Sequence, residues 1–270
     1  MTLPLRLNHL FRVVDAETFA AARDSAWLRE VFAPGELRTT RRPDWTYTGL
    51  YWYGISTYLE LFEEGPQGPI GASGIAFAIE EPGATAAIAS ALRQSLGEAD
   101  HRLVVRPVGD DTVPWFHIAH AVPDQRAGLK LWTMEYHADF LAGWHAAHTP
   151  ARGITRAEVL ERYAAVSPGP ARPLLGDVVA VTMAVTPAER GFLLRHVEAF
   201  DATTRDTGGD GTMVTGDDLS IGLSAASETR RGLQDLVFRL RRPTGREVIT
   251  IGRSTITVEG TRGVWKFRDV

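Results

Sequence analysis

The sequence predicts an α+β fold made of repeated βαβββ modules, and three observations carry that expectation. Strand, helix and three further strand patterns follow one another up to Glu63. After a turn-rich linker, Gly65-Pro66-Gln67-Gly68-Pro69, the same order recurs. A third strand-helix-strands run begins near Asp177 and ends in a helix-poor tail. Repeats of this kind decide a fold before any single element does. Four units of roughly sixty residues would fill the 270 residues as two paired halves.

Pro4–Val14 alternates apolar and polar side chains, as a strand does. Asp15 suits an N-cap, and apolar positions through Phe19, Ala26, Trp27, Leu28 and Phe32 recur near the helical period. Pro34-Gly35 ends that helix. Strands follow at Leu37–Thr40, Tyr47–Tyr53 and Thr57–Glu63, the last two joined by a tight turn at Gly54-Ile55-Ser56. A two-residue turn at Ile55-Ser56 pairs Tyr53 with Tyr58 and Tyr51 with Glu60. Tyr51, Tyr53, Tyr58, Glu60 and Phe62 then share one sheet face. A carboxylate among phenols on a half-buried face needs a cation or several donors, because a lone buried charge is costly.

In the second unit, Gly74–Glu80 reads as a strand and Gly83–Leu96 as an alanine-rich helix. Strands then follow at His101–Val108, Trp115–Ala121 and Leu129–His137. Leu141–Pro173 is proline-punctuated, with its clearest helix at Thr155–Ala165, and reads as a connector. Asp177–Val185 is a strand, followed by a helix from Pro187 to about Phe200 with Thr186 as cap. Thr207–Gly211 reads as a turn. Strands are expected at Met213–Ser224, Leu233–Arg241, Val248–Gly252, Ser254–Glu259 and Val264–Phe267. The expected domains are residues 1–140 with the paired modules, 141–173 as connector, and 174–270 as a degenerate second half.

Composition narrows the function. A net charge of −4 with mixed signs argues against nucleic acid or an anionic membrane as partner. No run of eighteen apolar residues spans a bilayer. The N-terminus has no apolar signal core, so a cytosolic location is expected. Without cysteine, any metal must be held by His, Asp or Glu.

His9 in "LNHLFRVVD" and Glu60 in "TYLELFEE" stand on the first and last strands of the first unit, with the helix "DAETFAAARDSAWLREVF" and the strand "YTGLYWYG" between them. This pattern resembles the vicinal oxygen chelate superfamily, which includes glyoxalase I, extradiol dioxygenases, fosfomycin-modifying transferases and bleomycin-binding proteins. The likeness is good over about residues 5–64, fair over 71–140 and weak beyond. It implies an open, U-shaped mixed sheet around a divalent ion, with ligands from the first and last strands of each module. An offset of 66 residues places Ile75 where His9 sits, so one ligand is missing. Allowing for the longer loop Val122–Gly128, "LKLWTMEYH" falls on "TYLELFEE" and Glu135 matches Glu60. The expected metal set is therefore His9, Glu60 and Glu135, holding Zn, Fe, Mn or Ni with water.

His137 shares a face with Glu135, whereas His117 and His120 are three apart and face opposite ways, so at most one enters a cavity. Glu135, His120, His137 and Tyr51 are candidates for moving a proton. Tyr53, Tyr58, Phe62 and Trp115 are candidates for substrate contact. The reading is a metal-dependent enzyme of lyase, isomerase or hydrolase type acting on an oxygen-rich small molecule. Its alternative is a non-catalytic protein that sequesters a small molecule or antibiotic. A homodimer is left open.

Other signals have plainer readings. Trp27, Trp132 and Trp265 are expected in the core. His101 and His196 are expected at the surface, and His145 and His148 in a solvated or capping role. Asp210, Asp217 and Asp218 suit turns, and the pairs Arg41-Arg42 and Arg241-Arg242 suit solvated strand ends. In the second half Thr182 or Ala184, and Gly222 or Ser224, occupy the ligand regions, so one site is expected, in the first half.

Overall fold

The computed structural model describes residues 3–41, 46–108, 111–121, 128–141 and 153–268. A two-residue strand β1 (Leu3–Pro4) leads into the first module: β2 (Leu7–Val14), α1 (Ala16–Asp24), β3 (Gly35–Arg41), β4 (Thr46–Tyr53) and β5 (Tyr58–Glu63). The second module contains β6 (Ser73–Ile79), α2 (Thr85–Leu96), β7 (Ala99–Val108), β8 (Asp111–Ala121) and β9 (Leu129–Tyr136). Together they form one eight-stranded mixed sheet ordered β3-β4-β5-β2-β6-β9-β8-β7. Both first strands lie at its centre, where β2 and β6 meet antiparallel. This is the paired βαβββ architecture expected from the repeat.

A 3-10 turn (Ala138–Phe140) and α3 (Arg156–Val166) come next. The second half contains β10 (Leu175–Val185), α4 (Pro187–Val197), a short β11 (Phe200–Asp201), β12 (Thr203–Gly208), β13 (Gly211–Thr215) and β14 (Ser220–Ala225). β15 (Gly232–Ile251) and β16 (Ser254–Lys266) close the fold. Their six-stranded sheet runs β12-β13-β14-β10-β15-β16. Its first four strands repeat the order of the first module, and a long hairpin replaces a fourth module.

Local chemistry explains most boundaries. Asp15 accepts from the Thr18 amide at 3.0 Å and starts α1. Thr186 and Glu189 form a reciprocal capping box on α4, with Pro187 in the first turn. The expected long first helix is interrupted at Ser25, whose extended backbone stops α1; a π-helical turn, Leu28–Phe32, then seats Leu28 and Phe32 in the core. The turn expected within Thr207–Gly211 forms at Gly209-Asp210, between β12 and β13. These two strands pair, and Asp206 accepts from the Gly208 amide at 2.8 Å.

The two halves share one core. On the helix side of the eight-stranded sheet, Leu7, Leu10, Leu59, Ile75 and Leu131 join Val181, Leu236, Ile256 and Trp265 of the second half. Asp177 pins the β4–β5 hairpin across this junction, accepting from the Ser56 and Thr57 amides at 2.6 and 2.9 Å. Arg156, nearly buried, donates to the Leu7 carbonyl, Glu80 and Asp218. Asp218 also accepts from the Leu7 amide, and Asp217 from Arg6, so these aspartates are junction groups and not simple turn residues.

A second core fills the other, concave face. Phe140, Leu141, Val159, Leu160 and Tyr163 pack onto Phe11, Val13, Tyr51, Tyr53, Phe62, Met134 and Tyr136. The segment expected to be a connector is therefore the cover of the concave face. His145, His148 and Arg42 lie outside the described residues. His196, expected at the surface, is 0 % exposed among Phe77, Phe192 and Phe200, because α4 turns it onto the sheet. Trp265 is core as expected, whereas Trp132 lies on the concave face with its edge to His9.

Candidate functional site

The hairpin has the predicted register: Tyr51 opposes Glu60, and Tyr53 opposes Tyr58. β5 runs parallel to β2, setting Tyr58 beside His9 and Glu60 beside Phe11. The β2–β6 register slips between Leu7 and His9, so Asn8 is an inserted residue. Such a bulge brings two consecutive side chains to one side of a strand. Asn8 and His9 both use this: the His9 ring donates from Nδ1 to Asn8 Oδ1 at 2.8 Å, and Tyr136 donates to the same oxygen at 3.4 Å. With Nδ1 carrying the proton, the Nε2 lone pair faces Glu60 Oε1 at 3.8 Å. The imidazole also stacks on Tyr58, centroids 4.2 Å apart.

His9 is 5 % exposed and Glu60 9 %. Burial pushes the Glu60 carboxyl up to about 8, against the pull of the Arg38 guanidinium. Burial, with Arg38 adding to it, holds the His9 imidazole down at about 3. Near pH 7 the pair is thus a neutral acid beside a neutral base. Burial likewise raises the Tyr51, Tyr53, Tyr58 and Tyr136 phenols, which stay protonated. Arg38 lies 4.0 Å over the Tyr51 ring and donates to Glu36 at 3.2 Å. Tyr53 donates to the same Glu36 oxygen at 2.5 Å and stacks on Tyr163 of α3. The floor is therefore rich in hydrogen-bond donors around one proton-bearing carboxyl.

The structure brings His9, Glu60, Tyr51, Tyr53, Tyr58 and Phe62 together, and Phe62 meets Phe11 and Tyr51 edge to face. The structure sets Trp115 apart from them, its ring tilted against Phe140 of the cover with centroids 6.0 Å apart. It does not bring Glu135 to them. Leu129, Leu131, Thr133 and Glu135 occupy the helix side of β9, and Glu135 accepts from the Gly83 amide, the Thr85 amide and the Thr85 hydroxyl at 2.6, 3.0 and 2.7 Å. It caps the start of α2. The loop-adjusted match of "LKLWTMEYH" to "TYLELFEE" was one residue out, and so was the offset of 66, which placed the helix-side Ile75 opposite His9; a single-residue slip exchanges sheet faces. His137 follows Glu135, capping the 3-10 turn and lying 5.7 Å from the His117 ring. His120 pairs with Asp100 at 3.3 Å at the end of β8. Neither joins the His9–Glu60 pair.

Sequence reasoning missed Asn8, Glu36, Arg38, Tyr136 and Tyr163. An amide preceding the histidine was a visible cue for Asn8. Glu36 and Arg38 were legible only through their register with Tyr51 and Gly49.

The donor set can be tested against the divalent ion that the family resemblance implies. On the concave face β6 presents Gly74, Ala76 and Ala78, and β9 presents Lys130, Trp132, Met134 and Tyr136. β6 and β9, the two strands of the second module nearest His9 and Glu60, therefore contribute no imidazole or carboxylate to the floor. Among the described residues no three His, Asp or Glu side chains converge on one point. His9 and Glu60 alone do not fit a four-coordinate protein-held centre.

A family model described as "Family of unknown function (DUF5829)" matches residues 7–267. No curated protein matches the chain. Among solved structures, a hypothetical protein from Staphylococcus aureus superposes with a TM-score of 0.55 at 11% identity, covering 92% of this chain and 96% of that one. BphC, a halotolerant catechol dioxygenase, gives 0.48 at 10% identity, covering 96% of this chain and 88% of its own. The Mn(II)-bound glyoxalase from Novosphingobium aromaticivorans gives 0.47 at 11%, covering 97% and 81%. The paired βαβββ topology is the one the family resemblance implies, and the fold is shared with the Staphylococcus aureus protein. No helix among the described residues is long and apolar enough to cross a membrane.

Proposed function

This chain belongs to the family of unknown function DUF5829, and from its site we propose that it binds a planar, oxygen-bearing small molecule on the concave face and exchanges a proton with it through Glu60. One observation carries the reading: a carboxyl group that burial keeps protonated at neutral pH stands 3.8 Å from an oriented imidazole. A general acid works best when its pKa lies near the working pH. Glu60 meets that condition, and the protonated phenols around it are placed to hold an oxygen atom that gains negative charge. His9, tied at Nδ1 by Asn8, keeps its Nε2 lone pair toward the carboxyl and so orients the Glu60 proton. Isomerase or lyase chemistry, in which a proton moves beside a carbonyl group, matches these parts.

The second reading, sequestration without chemistry, is favoured by a different observation. The concave face is covered by Phe140, Leu141 and α3 as closely as a core is. A container needs that cover, and an enzyme must open it on every turnover.

Calorimetric titration with catechol and with hydroxyacetone, on the wild type, Glu60→Gln and Tyr58→Phe, tests the proposal. Saturable binding of either compound that Glu60→Gln weakens roughly tenfold supports a concave-face site. Exchange of the hydroxyacetone α-protons for deuterium, lost in Glu60→Gln, supports the enzyme. Binding without exchange favours the container. Binding that none of the variants alters would refute both.

A further inference from the structure

Only two of the chain's 29 basic side chains are lysines, Lys130 and Lys266. Arginine is the rule here, so an amine on the concave face is chemically distinct from its surroundings. A guanidinium stays charged in proteins, whereas a desolvated amine can be neutral and nucleophilic. Lys266 is exposed on β16, while Lys130 is half-buried on the concave face of β9.

Its position is set by register. Tyr51, Glu60, Phe11, Gly74 and Lys130 are successive partners across β4, β5, β2, β6 and β9. Glu60 and Lys130 thus lie on one row of the sheet, three strand spacings or about 14 Å apart at the backbone. Phe11 lies between them, pressed onto Gly74, where a Cβ would come within 2.2 Å of the ring. The Lys130 ammonium is 5.8 Å from the Phe11 centroid and donates to the Gln67 carbonyl at 2.9 Å. Gln67 also lines a cavity of about 210 Å³ with Tyr47 and Phe62. Both partners of Lys130 are neutral, and among the described residues no carboxylate lies within ion-pair distance of it. Burial alone lowers its pKa from the ordinary lysine value.

We propose that Lys130 is a nucleophilic amine that captures the carbonyl carbon of a planar aldehyde or ketone as an imine. The neutral amine adds to the carbonyl carbon, forming the C–N bond as the C=O π bond opens to a carbinolamine. The hydroxyl group then leaves as water, taking up one proton while the nitrogen gives up its own, and a C=N bond remains. Nothing is oxidised or reduced, and no co-reactant is needed. A lysine serving only as a solvated cation would prefer an acidic neighbour or full hydration, and Lys130 has neither. The inference shares the concave floor with the proton-transfer reading, but its test reads Lys130 alone.

Full-length protein is incubated at pH 7 with benzaldehyde and sodium cyanoborohydride, and benzylation at each lysine is followed by peptide mass spectrometry. Lys266, in the same molecule, is the reference. The expected result is labelling of Lys130 roughly tenfold faster than Lys266, with a pH midpoint below that of Lys266. In Lys130→Arg, checked for folding by circular dichroism, the fast adduct disappears and the slow one at Lys266 stays. Lys130→Arg keeps the charge, so a role limited to attracting anions predicts no preference for Lys130 in the wild type. Equal rates at the two lysines, or faster labelling of Lys266, would overturn the assignment.

Discussion

Replacing Glu60 with Gln removes a titrating group while keeping its size, and the structure sets the consequence. In the folded protein burial raises this carboxyl from an ordinary 4.5 to about 8. A raised folded pKa gives stability that is complete below 4.5 and lost as pH climbs through 8. A tenfold change in an acid's dissociation constant is worth about 1.4 kcal/mol, so the full loss is about 5 kcal/mol, of which about 3 kcal/mol is already incurred at pH 7. Glu60→Gln is spared that loss. Urea unfolding of the two proteins should coincide near pH 4 and diverge with rising pH, the variant becoming the more stable by several kcal/mol at pH 9. All other titrating groups are common to both proteins and cancel in the difference. A pH-independent difference would show that folding leaves the Glu60 pKa unshifted, and a variant less stable at pH 9 would show that Glu60 is charged and paired in the folded state. The acid-catalyst reading would fall with it.

Three further outcomes follow from the same geometry. His196 is buried with neither ring nitrogen partnered, and burial holds it at about 3, so its contribution to stability is lost as pH falls from 6.5 toward 3. His196→Phe should therefore shift the acid-unfolding midpoint, followed by circular dichroism, to lower pH; an unchanged midpoint would contradict the burial argument. Glu135→Ala strips three hydrogen bonds from the start of α2 and should cost about 1–3 kcal/mol in urea unfolding. It should leave catechol titration unchanged, and weakened binding would show that Glu135 contacts the ligand. Gly74→Ala drives a methyl group to within 2.7 Å of both Trp132 and the Phe11 ring edge and should destabilise the fold by about 1–3 kcal/mol. Trp132 fluorescence reports the displacement, and an unshifted spectrum would mean that the floor is looser than described.

The module order, the hairpin register and the caps at Asp15 and Thr186 were legible in the chain. Each follows from contacts made within a few residues, or from a period that the strand or helix imposes on its own side chains. His9 and Glu60 were legible for the same reason, since each lies on a strand whose inward face the alternation marks. Glu135 was misread because the strands β5 and β9 were aligned across a loop of unequal length, and an error of one residue there exchanges the two faces of the sheet. His196 was misread because a polar residue on a short amphipathic helix gives no sign of which neighbour will cover it. The raised pKa of Glu60, the tilt of His9 toward it and the cover formed by Tyr163 arise only when segments far apart in the chain exclude water from one surface. Side-chain type and alternation belong to the chain alone, but desolvation belongs to the assembled sheet, and desolvation is what makes this carboxyl an acid.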